Sequence, residues 1–161
     1  MNRRHFLTRA AGALAGTAAS AGAFAADAPS PTIVKVVKTE AEWRTLLTPA
    51  QFNILRHEGT ERPFSSALND EKRKGTFVCA GCALLLFESK TKYDSGTGWP
   101  SFYDSIKGAI GTSVDTKLFV PRTEYHCARC EGHQGHVFDD GPKPTGLRYC
   151  NNGVALKFVP A

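Results

Sequence analysis

Between Cys127 and Gly153 the chain gathers a Cys-x-x-Cys pair (Cys127, Cys130), two histidines at i and i+3 (His133, His136), the carboxylates Asp139 and Asp140, and one further thiol, Cys150. Five cysteines are present in all, and Cys79 and Cys82 form a second Cys-x-x-Cys. Four thiols therefore fall into two pairs and one is left over. Two tight knuckles that aim four thiolates at one centre suit tetrahedral Zn²⁺, closed to substrate and hence structural. Two disulfides, or two redox-active pairs, are the competing readings. Haem attachment is excluded, because Ala83 and Glu131 rather than His follow the second cysteines. Residues 83–126 separate the two pairs, well beyond the ~15–20 of a compact zinc ribbon, so the metal would clip a larger sheet.

The leftover Cys150 can pack as a small hydrophobe or act as a nucleophile. Arg148 stands two residues before it, on the same face if the run is a strand, where its charge favours the thiolate. Asn152 has the same parity and can donate a hydrogen bond. His133, His136 and Asp140 add proton donors nearby. The set reads as a thiol nucleophile with acid–base groups around it.

These groups need a scaffold. Thr39-Glu40-Ala41-Glu42 is a capping box that opens a helix through Trp43 and Leu47. Thr48 caps a second helix with Pro49 in its first position and Gly59 just past its end, Phe52 and Leu55 facing the core. From Thr60 onward short β-prone runs are broken by Gly, Pro, Asn and Asp, which predicts antiparallel strands. The candidates are Thr76–Val78, Leu84–Phe87, Leu118–Val120, Tyr125–His126, His136–Phe138, Leu147–Tyr149 and Val154–Phe158. The expected fold is mostly β with short N-terminal helices.

Residues 1–25 read as an export signal: Asn2-Arg3-Arg4-His5-Phe6-Leu7 is a twin-arginine start, and Ala23-Phe24-Ala25 a small-residue cleavage site. Gly12, Gly16, Ser20 and Gly22 make the run between them too polar to span a bilayer, so export to the periplasm without stable membrane insertion is expected. Twin-arginine export carries folded proteins, which would let zinc fill the thiolates before they meet oxidant. A linker over 26–38 and one domain over 39–161 follow. Losing Arg3, Arg4 and Arg9, and no acid, takes the net charge from +5 to +2. No nucleic-acid footprint remains, since only Lys72-Arg73-Lys74 clusters charge, as a solvated turn.

From Thr39 to Phe158 the chain resembles the B-type methionine sulfoxide reductases, the selenoprotein-R-like family. The likeness rests on Gly59–Phe64, both Cys-x-x-Cys pairs, Gly98-Trp99-Pro100-Ser101-Phe102, His133–Phe138 and Gly146–Cys150. It implies two antiparallel sheets with a distal structural zinc, and thiol-dependent reduction of the R epimer of methionine sulfoxide in oxidised proteins or peptides. By the same resemblance Cys150 is the nucleophile that becomes a sulfenic acid, His133 and His136 handle the proton, and Asn152 and Arg148 hold substrate and thiolate. Asp140 sits beside the histidines, Trp99 bounds the pocket for the ε-methyl, and Phe138 joins the substrate-binding set. A monomer served by a thioredoxin-like or other thiol reductant is expected. Many members carry a resolving cysteine where this chain has Thr97, so an external thiol is expected to reduce Cys150. A zinc-knuckle binding module, or a thiol oxidoreductase built on the Cys-x-x-Cys pairs, would use the same cysteines differently.

Overall fold

A computed structural model describes residues 32–118 and 120–161; the predicted signal peptide and residues 26–31 of the linker lie outside them. Helix α1 (Glu40–Leu46) begins as its capping box dictates: Thr39 Oγ1 accepts from Glu42 N at 3.3 Å while Glu42 Oε2 accepts from Thr39 N at 2.7 Å. Helix α2 (Pro49–His57) repeats the device with Thr48 and Gln51. It stops at Glu58, itself in the left-handed region (φ 54), one residue before the glycine that the sequence offers as terminator. Trp43, Phe52, Ile54 and Leu55 bury one side of the pair. No helix among the described residues is long and apolar enough to cross a membrane.

Among the described residues nine strands follow, β1 (Gly75–Cys79), β2 (Leu85–Glu88), β3 (Lys92–Tyr93), β4 (Ser101–Phe102), β5 (Ile110–Asp115), β6 (Arg122–Cys127), β7 (His133–Phe138), β8 (Arg148–Asn151) and β9 (Leu156–Pro160). They form two sheets, β2-β1-β9 and β3-β4-β8-β7-β6-β5. All pairings are antiparallel. The mostly-β expectation with two antiparallel sheets is met.

The core is a cluster of rings between the sheets. Phe77 and Phe87 come from the small sheet, and Phe102, Tyr125 and Tyr149 from the large one. Phe87 stacks on Phe102 at 4.2 Å between centroids, Phe77 meets Phe102 edge-on at 4.9 Å, and Tyr125 meets Tyr149 edge-on at 5.5 Å. Each such pair adds about 0.5–1.5 kcal/mol beyond its buried area. Tyr125 is wholly buried, and its hydroxyl accepts a hydrogen bond from Asn151 Nδ2 at 2.7 Å.

Two sequence expectations need correction. Leu118–Val120 is no strand: Leu118 and Val120 lie in the turn between β5 and β6, 56% and 70% exposed, and Phe119 is outside the described residues. The strand instead is β5, whose Gly111, Thr112, Ser113 and Asp115 carry no apolar alternation because it is an edge strand paired only with β6. Strand β7 also begins three residues earlier than its apolar content suggests, at His133, because a bulge opposite Tyr125–His126 keeps it paired.

Candidate active site and metal centre

Strand register assembles the site. Cys150 on β8 stands directly opposite His136 on β7 and Ser101 on β4; His136 stands opposite Glu124 on β6, and Glu124 opposite Ser113 on β5. Directly opposed residues share a face, so Ser113, Glu124, His136, Cys150 and Ser101 form one row across the large sheet. Their neighbours Tyr125, Tyr149 and Phe102 point the other way, into the aromatic core. The next row holds Asp115 opposite Arg122 and Phe138 opposite Arg148; the row on the other side holds Gly111, His126 and His133. Gly135 lets β8 come close, since a Cβ there would lie 1.9 Å from the Cys150 carbonyl oxygen.

A cavity of about 260 Å³ opens over Cys150, with Thr97, Trp99, Arg122, His136, Phe138, Arg148 and Asn152 in its lining. It is smaller than the ~300–1,000 Å³ of drug-sized sites and suits a single side chain. Trp99 and Phe138 supply apolar walls. The indole is fixed by its Nε1–H, which donates to the Glu61 carbonyl at 3.2 Å. The Arg148 guanidinium lies 4.2 Å over the Phe138 ring and donates twice to Asp140, Nε to Oδ1 at 2.7 Å and NH2 to Oδ2 at 2.8 Å.

Of the residues expected from sequence, Cys150, His136, Asn152, Trp99, Arg148 and Phe138 meet at this cavity. Asp140 stands behind it as the clamp on Arg148. His133 is also one layer back: 3% exposed, its Nδ1 bonded to Glu124 Oε1 at 2.8 Å and its ring 5.5 Å from that of His136. The Asn152 amide is already engaged at both ends, accepting from Glu61 N and donating to the Gln134 carbonyl, each at 3.0 Å. These two bonds brace it in the cavity wall and use one of its two amide N–H groups.

Sequence reasoning missed Glu61, Asp115, Arg122 and Glu124. Glu61 accepts from the backbone N–H groups of Gly153 at 2.6 Å and Val154 at 3.0 Å, tying the segment after β8 to the Trp99 wall. Glu124 is 5% exposed and bonds His133, His126 and Ser113 together. The period-2 run Arg122, Glu124, His126 was the legible signal for one polar strand face.

The surroundings set protonation. Burial pushes the Cys150 thiol up, and outweighs the downward pull of the Arg148 charge and of hydrogen bonding from Thr97 and Arg148. Arg148 thus acts in the direction expected from sequence, yet the resting group is a thiol. Burial pushes His136 below the usual imidazole range against the opposing bond to Asp115, leaving a neutral ring at pH 7. Burial would raise Glu124, but the bonds from His133, His126 and Ser113 prevail and hold it as a carboxylate. Asp115 is held well below the carboxylate range by the Lys117 N–H, His136 and Arg122.

The other four cysteines form two matching knuckles. Ala83 N donates to Cys79 O at 2.8 Å and Glu131 N to Cys127 O at 2.9 Å, and both donors sit in the left-handed region at φ 59 and 58. Cys79 Sγ is 3.6 Å from Cys130 Sγ, Cys82 Sγ is 3.4 Å from Cys127 Sγ, and all four sulfurs lie within 4.8 Å of one another. A disulfide needs about 2.05 Å, so neither pair is bonded; all five cysteines are free. A tetrahedral centre with metal–sulfur bonds of about 2.3 Å would separate its sulfurs by roughly 3.8 Å, close to what is seen. The donor set fits a metal, and the buried Gln134 amide donates to Cys79 Sγ at 3.5 Å, a bond that favours a thiolate there. The centre joins β1 of the small sheet to β6 of the large one.

Residues 47–160 match the model of the SelR domain family. The chain is 52% identical over 125 residues to the peptide methionine sulfoxide reductase MsrB of Leptospira interrogans, covering 77% of this chain and 95% of that protein. It is 54% identical over 124 residues to the MsrB of Methanosarcina barkeri (76% and 87% covered) and 54% over 127 residues to that of Pseudomonas entomophila (78% and 97%). With two antiparallel sheets, a four-thiol centre and a lone cysteine under an aromatic-walled cavity, the chain belongs to the SelR domain family, the B-type methionine sulfoxide reductases.

Proposed function

We propose that the protein reduces the R epimer of methionine sulfoxide in peptides and oxidised proteins, with Cys150 as nucleophile. The carrying observation is Cys150 itself: the only one of five cysteines outside the metal cluster, it lies at the cavity and directly across from a neutral histidine. Trp99 and Phe138 receive the apolar part of the side chain, and the polar groups His136 and Arg148 receive the sulfoxide oxygen. An apolar wall for the methyl and donors for the oxygen select one hand at sulfur.

The Cys150 sulfur attacks the sulfoxide sulfur as the oxygen takes up protons; the S–O bond breaks, water leaves, and a second water returns methionine and Cys150 sulfenic acid. The electron pair comes from Cys150, which is oxidised as the sulfoxide is reduced. With Thr97 at the position of the resolving cysteine, two equivalents of an external thiol, from a thioredoxin-like protein or a small thiol, return Cys150 to the thiol and leave as a disulfide with water.

Zinc is the metal that four thiolates in this spacing favour, as a structural clip with no ligand position for substrate. Export by the twin-arginine route to the periplasm and action as a monomer complete the reading. Turnover of R and S peptide methionine sulfoxides is measured separately with dithiothreitol, for the parent and for Cys150→Ser. Turnover of R alone, lost in the variant, supports the proposal; reduction of S, or activity retained in Cys150→Ser, overturns it.

A further inference from the structure

The reaction requires a base for a half-buried thiol, and the polar face of the large sheet shows how one is prepared. Asp115 closes β5, its side chain 8% exposed. It is held on three sides: Lys117 N donates to Oδ1 at 2.9 Å, Arg122 NH2 to Oδ2 at 2.5 Å, and His136 Nε2 lies 2.7 Å from Oδ2. A carboxylate accepts only, so His136 Nε2 carries the hydrogen. In a neutral ring that leaves Nδ1 as the acceptor. His136 and Cys150 stand directly opposite each other on β7 and β8, and both line the cavity.

We propose that Asp115 is a positioning residue that holds His136 in its Nε2–H tautomer, so that Nδ1 takes the proton of the Cys150 thiol and passes it to the sulfoxide oxygen. The groups facing His136 are Asp115 from β5, Arg122 and Glu124 from β6, His133 from its own strand, and Cys150 and Arg148 from β8. Asp115 is the one among them that bonds its Nε2. One proton moves from Sγ to Nδ1 to the oxygen and a second comes from solvent, so that water leaves with the S–O electron pair as a Cys150 electron pair forms the bond to the sulfoxide sulfur; hydrolysis of that adduct returns the second proton. The roles parallel those of a nucleophile, base and orienting acid in hydrolytic triads, here spread over three strands of one sheet. The proposal rests on the reductase reading above, and its first readout is independent of turnover.

That readout is the ¹⁵N spectrum of histidine-labelled full-length protein, with His136 assigned by its absence in His136→Asn. A ring protonated at Nε2 and bare at Nδ1 is expected near neutral pH; a ring protonated at Nδ1 overturns the proposal, whatever the activity. The second is the near-isosteric Asp115→Asn, expected to lower kcat on the order of 10²-fold, as loss of general acid–base catalysis does, with KM little changed and a mixed His136 tautomer. Asp115→Glu should recover at least tenfold of that loss. A kcat for Asp115→Asn within twofold of the parent overturns the assignment. If Asp115→Asn does not fold, the tautomer of the parent decides alone.

Discussion

Arg148 sits between Asp140 and the cavity, its guanidinium forked onto that carboxylate and placed 4.2 Å over the Phe138 ring. Two opposed influences on Cys150 follow, because Arg148 lowers the thiol pKa and the charge of Asp140 raises it. Arg148→Met should slow alkylation of Cys150 by iodoacetamide at pH 7 by about tenfold or more, through loss of its charge. Asp140→Asn should leave that alkylation as fast or faster while lowering turnover, since the charge is gone but the fork that aims the guanidinium is broken. Equal slowing of alkylation in both variants would show that Asp140 acts on the thiol only through Arg148.

The rate of alkylation of the parent enzyme should still be climbing above pH 8.5, the pKa of a free thiol, because burial raises the Cys150 pKa. A plateau below pH 8 would mean a thiolate at rest. His136 is lowered, so kcat/KM should lose activity on the acid side only below about pH 6.5.

Stability should fall on both sides of neutrality. His136 has a folded pKa below its unfolded value, so the unfolded chain binds its proton first and stability declines as pH drops below about 6.5. Glu124 is likewise depressed, and its contribution, present above about pH 4.3, is lost as pH falls through its folded pKa. Cys150 is raised, so the unfolded thiol ionises first and stability declines above about pH 8.5. Urea midpoints measured across pH check this, and His136→Asn should flatten the slope below about pH 6.5. Glu124→Gln should cost about 1–3 kcal/mol, the usual loss when a buried charged hydrogen-bond partner is removed.

Native, metal-loaded protein should present one thiol to a disulfide reagent, and the chelated, denatured chain all five. Elemental analysis should find one bound metal per chain, and removing it with a mercurial should lower the melting temperature sharply, because the clip is part of the fold. Two or more fast thiols in the native protein would count against a filled site.

Glu61→Gln keeps a side chain that can accept one backbone N–H but loses the charge that holds both Gly153 and Val154. Charged hydrogen bonds contribute about 1.5–3 kcal/mol, so a fall in melting temperature is expected. KM should rise more than kcat falls, because the segment also carries the Trp99 wall. An unchanged KM would separate Glu61 from substrate binding.

Local chemistry was the readable part of this sequence. Thr39 with Glu42, and Thr48 ahead of Pro49, fix helix starts through bonds three residues long, and those starts were found to the residue. The two knuckles and the parity of Arg148, Cys150 and Asn152 were equally local. Asp115, Arg122, Glu124 and Glu61 escaped because their partners lie on other strands or loops: Glu61 bonds 92 residues away, and Asp115 meets His136 21 residues on. The misplaced strand has the same origin. Leu118 and Val120 look β-prone but cap an exposed turn, whereas polar β5 is a strand because β6 offers it a partner.

A strand with little apolar alternation has little to stop it slipping, and a slip of one residue would turn each side chain to the opposite face. Strand β6 carries Arg122, Glu124 and His126 on its polar side and is flanked by just such a neighbour in β5. Its last residue, Cys127, is fastened through the four-thiol cluster to β1 in the other sheet. A metal held by these four thiols would be a register pin, fixing which half of β6 faces the cavity.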